Sequence, residues 1–259
     1  MKITKEALSE YPNCSYKAYL ILRGIVGEST AYEHWLHKQD LQYIAAATPA
    51  LLNRENSCVL AANLLDTYEH MRQGVEIIVG AQTESELFSY SFHALQRIHG
   101  PSALGPFHYV PVVFSSALTS SAEAQKLILS CESHILKPLQ QLRPSNGILV
   151  SGENYSIREV DLEKQRPKAN TMLEDLTKYF QGTQTLRLRL KDHCHICRYR
   201  QQCKAEAQQV DDLSLLNKMS EREIQLYQRK GIFTVNQLSY TFRFRKRGNR
   251  VKAHGRPHS

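Results

Sequence analysis

The sequence predicts a mixed α/β fold, with a small sheet flanked by helices. Apolar residues recur at three- and four-residue steps through much of 5–72, which indicates helices. Residues 75–79 and 109–114 are rich in β-branched and aromatic residues, as strands are. Between 120 and 160 a helical segment precedes two short strand-like runs. This order predicts one sheet packed between helices.

The helical part is expected as three segments. Residues 5–25 form a helical region broken near Pro12, because proline removes a backbone donor and clashes with the preceding turn. Residues 30–47 and 56–72 are predicted as two further helices.

Three strands are expected next, at 75–79, 88–98 and 109–114, with a turn at 101–106. Pro111 within the third strand predicts a sheet edge or a bulge, because proline cannot donate to a ladder.

The segment Ser120-Ser121-Ala122-Glu123 predicts a capping box that opens a long helix with an apolar face extending to Leu139. Paired strands are expected at 147–150 and 155–160, around the turn 151–154. A helix at 167–181 and a strand at 185–190 complete a domain predicted to span 1–208.

A small helical hairpin is predicted at 209–240. Ser220 and Glu223 open its first helix, Gly231 ends it, and Thr234 opens the second. The pattern is typical of a helix-hairpin-helix, whose turn amides at 230–232 can bind a DNA phosphate. An ordinary helical hairpin is the alternative.

The net charge of +8 is concentrated in a C-terminal basic tail, 241–259, which carries seven Lys or Arg residues and no acid. Such a tail suits a phosphate-contacting arm, and a solubilising or truncated end is the alternative. The candidate nucleic-acid-binding residues are Lys230, Arg243, Arg245, Lys246, Arg247 and Arg250.

Four cysteines suggest a metal centre. Cys194, Cys197 and Cys203 have C-x2-C-x5-C spacing, and Cys14 near the other end is the candidate fourth ligand. Four thiolates suit zinc or an iron–sulfur cluster, and His193 or His195 is an alternative zinc ligand. Cys58 and Cys131 are interpreted as ordinary buried thiols.

A cytoplasmic location is expected, because the sequence shows neither a signal peptide nor an apolar run of membrane-spanning length. In a reducing compartment, clustered cysteines more often bind metal than form disulfides.

The cysteine pattern and the order of helices and strands resemble RecB-like PD-(D/E)XK nucleases, which include the CRISPR-associated RecB-like exonucleases. The resemblance implies a restriction-endonuclease-like core and a structural [4Fe–4S] cluster at Cys14, Cys194, Cys197 and Cys203. The run 240–245, Tyr-Thr-Phe-Arg-Phe-Arg, resembles the segment that leads into a C-terminal RNase H-like domain in bacterial members. The chain is accordingly expected to be a truncated part of a larger nuclease, whose second domain is lost or separate.

Nucleases of this superfamily hold Mg²⁺ with acids on two adjacent strands, next to a lysine. The resemblance aligns His93 with the first acid, and Val113 and Ser115 with the acid-x-Lys pair. Glu84, Glu86, Glu123 and Lys126 are possible replacements. Gln125 is aligned with a helix glutamine of the superfamily, although a solvent-facing position is expected for it.

The expected function is therefore nucleic-acid binding, with DNA as the partner, by a catalytically degenerate nuclease fold. One alternative is an active Mg²⁺-dependent DNA exonuclease with displaced acids. Another is a protein-interaction scaffold that does not bind nucleic acid.

Overall fold

The structure, a computed structural model, describes residues 2–52, 58–61, 63–116, 121–216, 219–247 and 250–254. For 243–247 and 250–254 it describes the backbone. The chain divides into two compact units, and the boundary near 186 differs from the one expected at 208. The first unit comprises 1–26 and 31–186, and the second comprises 27–30 and 187–259.

Three helices open the first unit: α1 (Lys5–Glu10), α2 (Ser15–Leu22) and α3 (Ala31–Leu52). The break near Pro12 is confirmed, because α1 and α2 are separate and Cys14 caps the second. A fourth helix, α4 (Leu64–Gln73), ends at Gly74, whose φ of 70° is the left-handed conformation that favours glycine.

The described residues of this unit include eight strands, and six of them form one mixed sheet. The strands are β1 (Cys58–Leu60), β2 (Ile77–Val79), β3 (Gln82–Glu84), β4 (Ser89–Ser91), β5 (Ala94–Ser102), β6 (Gly105–Ser115), β7 (Asn146–Ser151) and β8 (Ser156–Asp161). The six-stranded sheet has the order β1-β2-β5-β6-β7-β8, and β3 pairs with β4 separately. The predicted α/β class is confirmed.

Helices cover both faces of this sheet. On one face, Ala47 and Leu51 of α3 pack in a core with Val110, Val112 and Phe114 of β6. The opposite face meets α5 (Ala122–Gln140), which connects β6 to the parallel strand β7. Next, α6 (Arg166–Gln181) packs against α5 and confirms the helix predicted at 167–181.

Pro111 lies in an interior strand, which corrects the expected edge or bulge. Pro111 pairs with Leu95 of β5, and pairing with β7 begins one residue later, at Val112. The peptide nitrogens of residues two apart point to the same side of a strand. The nitrogen of Pro111 therefore points to the same side as the N–H of Tyr109. On that side the ladder with β7 starts at Val112, so it uses no N–H at position 111.

Other local predictions also need correction. The helix predicted at 56–72 begins only at Leu64, because Cys58–Leu60 pairs in parallel with β2. The strand predicted at 88–98 divides into β4 and β5, and 185–190 is not a strand. Ser121 caps α5 through the amide of Ala124, whereas Ser120 lies outside the described residues.

The second unit contains the cysteine run and short helices: α7 (Arg200–Gln209), α8 (Glu221–Arg229) and α9 (Val235–Ser239). The capping boxes at Ser220 and Thr234 are confirmed. Leu213, Ile224 and Leu238 form a small core beneath α8 and α9. Two antiparallel strands follow, β9 (Arg243–Arg247) and β10 (Arg250–His254).

Gln140, at the end of α5, completes the sheet beside β6. Its side-chain oxygen accepts a hydrogen bond from the Tyr109 N–H at 2.8 Å, and its nitrogen donates to the Tyr109 carbonyl at 3.0 Å. The amide therefore replaces a peptide group where β7 has not yet begun.

Gln140→Leu should lower the free energy of unfolding by about 2–4 kcal/mol, because it leaves both polar groups of a buried peptide unpaired. Chemical denaturation measures this loss. The matched control is Gln181→Leu, at the exposed end of α6, which should change stability by less than about 0.5 kcal/mol. Equal effects would contradict the role assigned to Gln140.

Candidate functional site

His93, aligned with the first acid, completes the other end of β6. Its Nδ1 accepts a hydrogen bond from the backbone N–H of Phe114 at 3.2 Å. Ladder pairing of β5 begins at Ala94, so the imidazole takes the place of a missing strand partner. Burial, and secondarily the positive charge of Lys5, holds the pKa of His93 well below its usual range. The ring is thus neutral, with its Nε2 protonated.

Val113 and Ser115, at the two other aligned positions, also have structural roles. Val113 is 4% exposed, within the sheet. Ser115 accepts a hydrogen bond from the side-chain amide of Gln125. Gln125 is buried, which corrects the expected solvent-facing position, because the first turn of α5 packs over the end of β6.

A buried polar cluster that the sequence reading missed lies in the same unit. Glu132 of α5 is fully buried and accepts a hydrogen bond from the Tyr90 hydroxyl at 2.8 Å. Burial raises the pKa of Glu132 to about 7, opposed by Lys5 and by the bond from Tyr90. Burial also lowers the pKa of Lys5 to about 8, opposed by the charges of Glu132 and Asp40.

Helical spacing could have indicated that Glu132 is buried, although not which groups it meets. It lies four residues after Ile128 and three before Ile135, both on the apolar face of α5. Lys5 and Asp40 carry no comparable signal, because their proximity depends on long-range packing. Asp40 accepts a hydrogen bond from the Ser116 hydroxyl at 3.0 Å, which links α3 to the end of β6.

The acids considered as replacements all lie at the surface. Glu84 forms an ion pair with Lys2 at 2.6 Å, and Glu123 pairs with Lys126 at 2.8 Å. Glu86 is exposed in the turn between β3 and β4.

Cys194, Cys197 and Cys203 lie in the second unit, and Cys14 lies in the first. Cys197 and Cys203 are buried. The run is held by the segment 27–30: the Glu28 N–H donates to the Arg198 carbonyl at 3.2 Å, and the Thr30 hydroxyl donates to the Ile196 carbonyl at 2.9 Å.

Gly27 allows the segment 27–30 to lie close to the cysteine run. A Cβ there would lie 2.7 Å from Arg198 Cγ and 2.8 Å from the Tyr199 ring, so a larger residue would push the two segments apart.

The donor chemistry of the cysteines suits a thiolate-bound centre. Backbone amides of Lys17 and Lys191 donate to the sulfurs of Cys14 and Cys194 at 3.4 and 3.3 Å, and such bonds are a feature of iron–sulfur ligation. Among the described residues, however, no group of three or more His, Cys, Asp or Glu side chains is arranged to hold a metal ion.

The two cysteines outside this pattern differ from each other. Cys131 is buried, as expected, and burial raises its pKa. Cys58 is exposed, which corrects the expectation, because it begins the edge strand β1.

The turn of the helical hairpin does not offer free amides to a phosphate. The N–H groups of Lys230 and Ile232 both donate to the Tyr227 carbonyl, and that of Gly231 donates to the Gln228 carbonyl. Phe233 and Thr234 donate to the Gln237 side chain. The amides are thus used to cap the two helices, which corrects the expected phosphate-binding role of this turn. Lys230 itself is exposed.

The remaining candidate residues, Arg243, Arg245, Lys246, Arg247 and Arg250, belong to β9 and β10. The segment predicted as a basic tail thus contains a paired two-stranded ribbon, whereas 248–249 and 255–259, which include Arg256, lie outside the described residues.

No protein-family model matches the chain, and a search of curated proteins also finds no match. Within the described residues, no helix is long and apolar enough to cross a bilayer.

The raised pKa of Glu132 predicts a pH-dependent stability. The folded state keeps a proton that the unfolded chain releases above about pH 4.5, so this contribution is fully present below that pH and is lost as pH rises through about 7. Glu132→Gln removes it.

The unfolding free energies of the wild type and of Glu132→Gln should therefore diverge between pH 5 and 7. As pH rises, the variant should gain stability relative to the wild type by up to about 1.4 kcal/mol per pH unit. Glu84→Gln, at an exposed ion pair, is the control and should run parallel to the wild type. A pH-independent difference for Glu132→Gln would contradict the buried, protonated carboxyl.

Proposed function

We propose that this chain is a nucleic-acid-binding module with a RecB-like nuclease fold that has lost its hydrolytic chemistry. It binds DNA on behalf of an RNase H-like nuclease domain, which is its functional partner. Cytoplasmic action on DNA is part of the same proposal.

The observation that carries this proposal is the use of His93. The residue aligned with the first metal-binding acid is a neutral imidazole whose Nδ1 is engaged by Phe114 of the neighbouring strand. Val113 and Ser115, aligned with the second acid and the lysine, supply neither a carboxylate nor a cation. None of these three aligned positions therefore offers a carboxylate oxygen to hard Mg²⁺.

The sheet supports the nuclease-like part of the proposal. Strands β5, β6, β7 and β8 are adjacent, with antiparallel, parallel and antiparallel pairing in that order. Helix α5 joins the parallel strands β6 and β7. The resulting order, of helices, strands, one helix and a closing strand hairpin, is the order that the resemblance implies.

Charge supports the binding part. Seven of the eight net positive charges lie in 241–259, and neutralising phosphates with such residues releases counterions. Lys230, which is exposed near the end of α8, is a further candidate contact.

We further propose that the cysteines hold a structural [4Fe–4S] cluster, with zinc as the alternative. Cys194, Cys197 and Cys203 share one segment of the second unit, and Cys14 is the fourth ligand on the cysteine pattern of the sequence. When bound, the centre would cross-link distant parts of the chain and so stabilise the fold, by restricting the unfolded state.

The full chain should bind labelled DNA with an affinity that falls steeply as salt rises, and it should release no product with Mg²⁺ or Mn²⁺. Fluorescence anisotropy and gel analysis of the same samples measure both properties. Removing 241–259 should weaken binding. Metal-dependent cleavage would instead identify an exonuclease with displaced acids, and absence of binding would identify a protein-interaction scaffold.

Protein purified without air should be brown and contain about four iron atoms per chain. The Cys203→Ser variant should lose its iron and have a lower thermal midpoint. The Cys58→Ser variant, changed at an exposed thiol outside the pattern, should keep both its iron and its thermal midpoint. Cys14→Ser tests the fourth ligand separately. A colourless sample with zinc would contradict the cluster, and a metal-free sample would contradict any such centre.

A further inference from the structure

The ribbon formed by β9 and β10 has two chemically different faces. Residues directly opposite each other in an antiparallel pair share a face, and successive residues alternate between faces. The first face contains the pairs Arg243–His254, Arg245–Lys252 and Arg247–Arg250, and the second contains Phe244–Ala253 and Lys246–Val251. Five of the six cations in the paired strands therefore belong to one face.

Taken by itself, this arrangement of charges is unfavourable. Like charges directly opposite one another destabilise a strand pair, and two such pairs, Arg245–Lys252 and Arg247–Arg250, are adjacent on this face. No Asp or Glu occurs in 241–259 to compensate them. A polyanion would remove the repulsion, so binding and stable pairing of the ribbon should reinforce each other.

The dimensions of the face suit the backbone of a double helix. From Arg243 to Arg247 the strand rises about 14 Å, and the two strands lie about 5 Å apart. B-form DNA carries one phosphate charge per about 1.7 Å of its axis, and its major groove admits a two-stranded ribbon. Five cations on such a patch can meet several phosphates at once.

Composition favours duplex DNA over a single strand. Proteins that bind single strands combine positive charge with aromatic side chains on which bases stack. The basic face has no Phe, Tyr or Trp, and Phe244 belongs to the other face. The narrow major groove of A-form RNA does not admit protein elements in the same way.

We propose that the face carrying Arg243, Arg245, Arg247, Arg250 and Lys252 binds the phosphate backbone of double-stranded DNA, while the Lys246 face does not. This inference rests on the proposed function and specifies the surface and the form of nucleic acid.

Neighbouring residues on opposite faces provide a matched test. Arg245→Gln and Lys246→Gln each remove one charge from the same strand, one position apart. For a 20-base-pair duplex, Arg245→Gln should reduce the slope of log affinity against log salt by about 0.9, the value for one lost phosphate contact. Arg245→Gln with Lys252→Gln should reduce it by about 1.8, and Lys246→Gln should leave it unchanged.

The outcomes separate this inference from the proposed function. Equal slopes for Arg245→Gln and Lys246→Gln, with duplex binding retained by the wild type, would overturn the assignment of the face alone. Tighter binding of a 20-nucleotide single strand than of the duplex would overturn the duplex assignment. Failure of the wild type to bind any DNA would overturn the proposed function and this inference together.

Discussion

The central strand β6 lacks β7 as a ladder partner in its first part and lacks β5 at its end, and the first unit depends on how these two stretches are completed. Near the start of β6, Gln140 supplies a side-chain amide to both polar groups of Tyr109. Near its end, His93 accepts the N–H of Phe114. Both groups are buried, so an unpaired peptide in either place would cost about 1–3 kcal/mol per polar atom.

This constraint connects the fold to its chemistry. A histidine whose Nδ1 accepts a backbone hydrogen bond cannot carry a proton there, and burial reinforces the neutral state. The position that the family resemblance assigns to a metal-binding acid is therefore used to finish the sheet. In the proposed function, DNA binding depends instead on charges outside the sheet, among them the five cations on one face of the C-terminal ribbon.

Sequence reasoning succeeded where the signals are local. The helix at Arg166–Gln181, the strand pair β7–β8 and the capping boxes at Ser220 and Thr234 depend on residues within a few positions of each other. Pro111 was misplaced because its tolerance in an interior strand depends on where β7 begins. The burial of Gln125 depends in the same way on how α5 packs over β6.

The polar cluster could not be predicted for a similar reason. Lys5 and Glu132 are 127 positions apart in sequence, and only the folded chain brings their charges close enough to interact. The cysteine spacing, by contrast, is visible in the sequence, whereas the contact of 27–30 with the same run is not.

The state of His93 tests the central claim most directly. Nitrogen-15 NMR of the full chain should show a neutral ring, protonated at Nε2, that does not titrate near the usual histidine pKa of 6.5 and is not broadened by Mn²⁺. Titration near that value, or selective broadening by Mn²⁺, would show that the ring is available to a proton or a metal. Either result would contradict the account of His93 as a structural residue of the sheet.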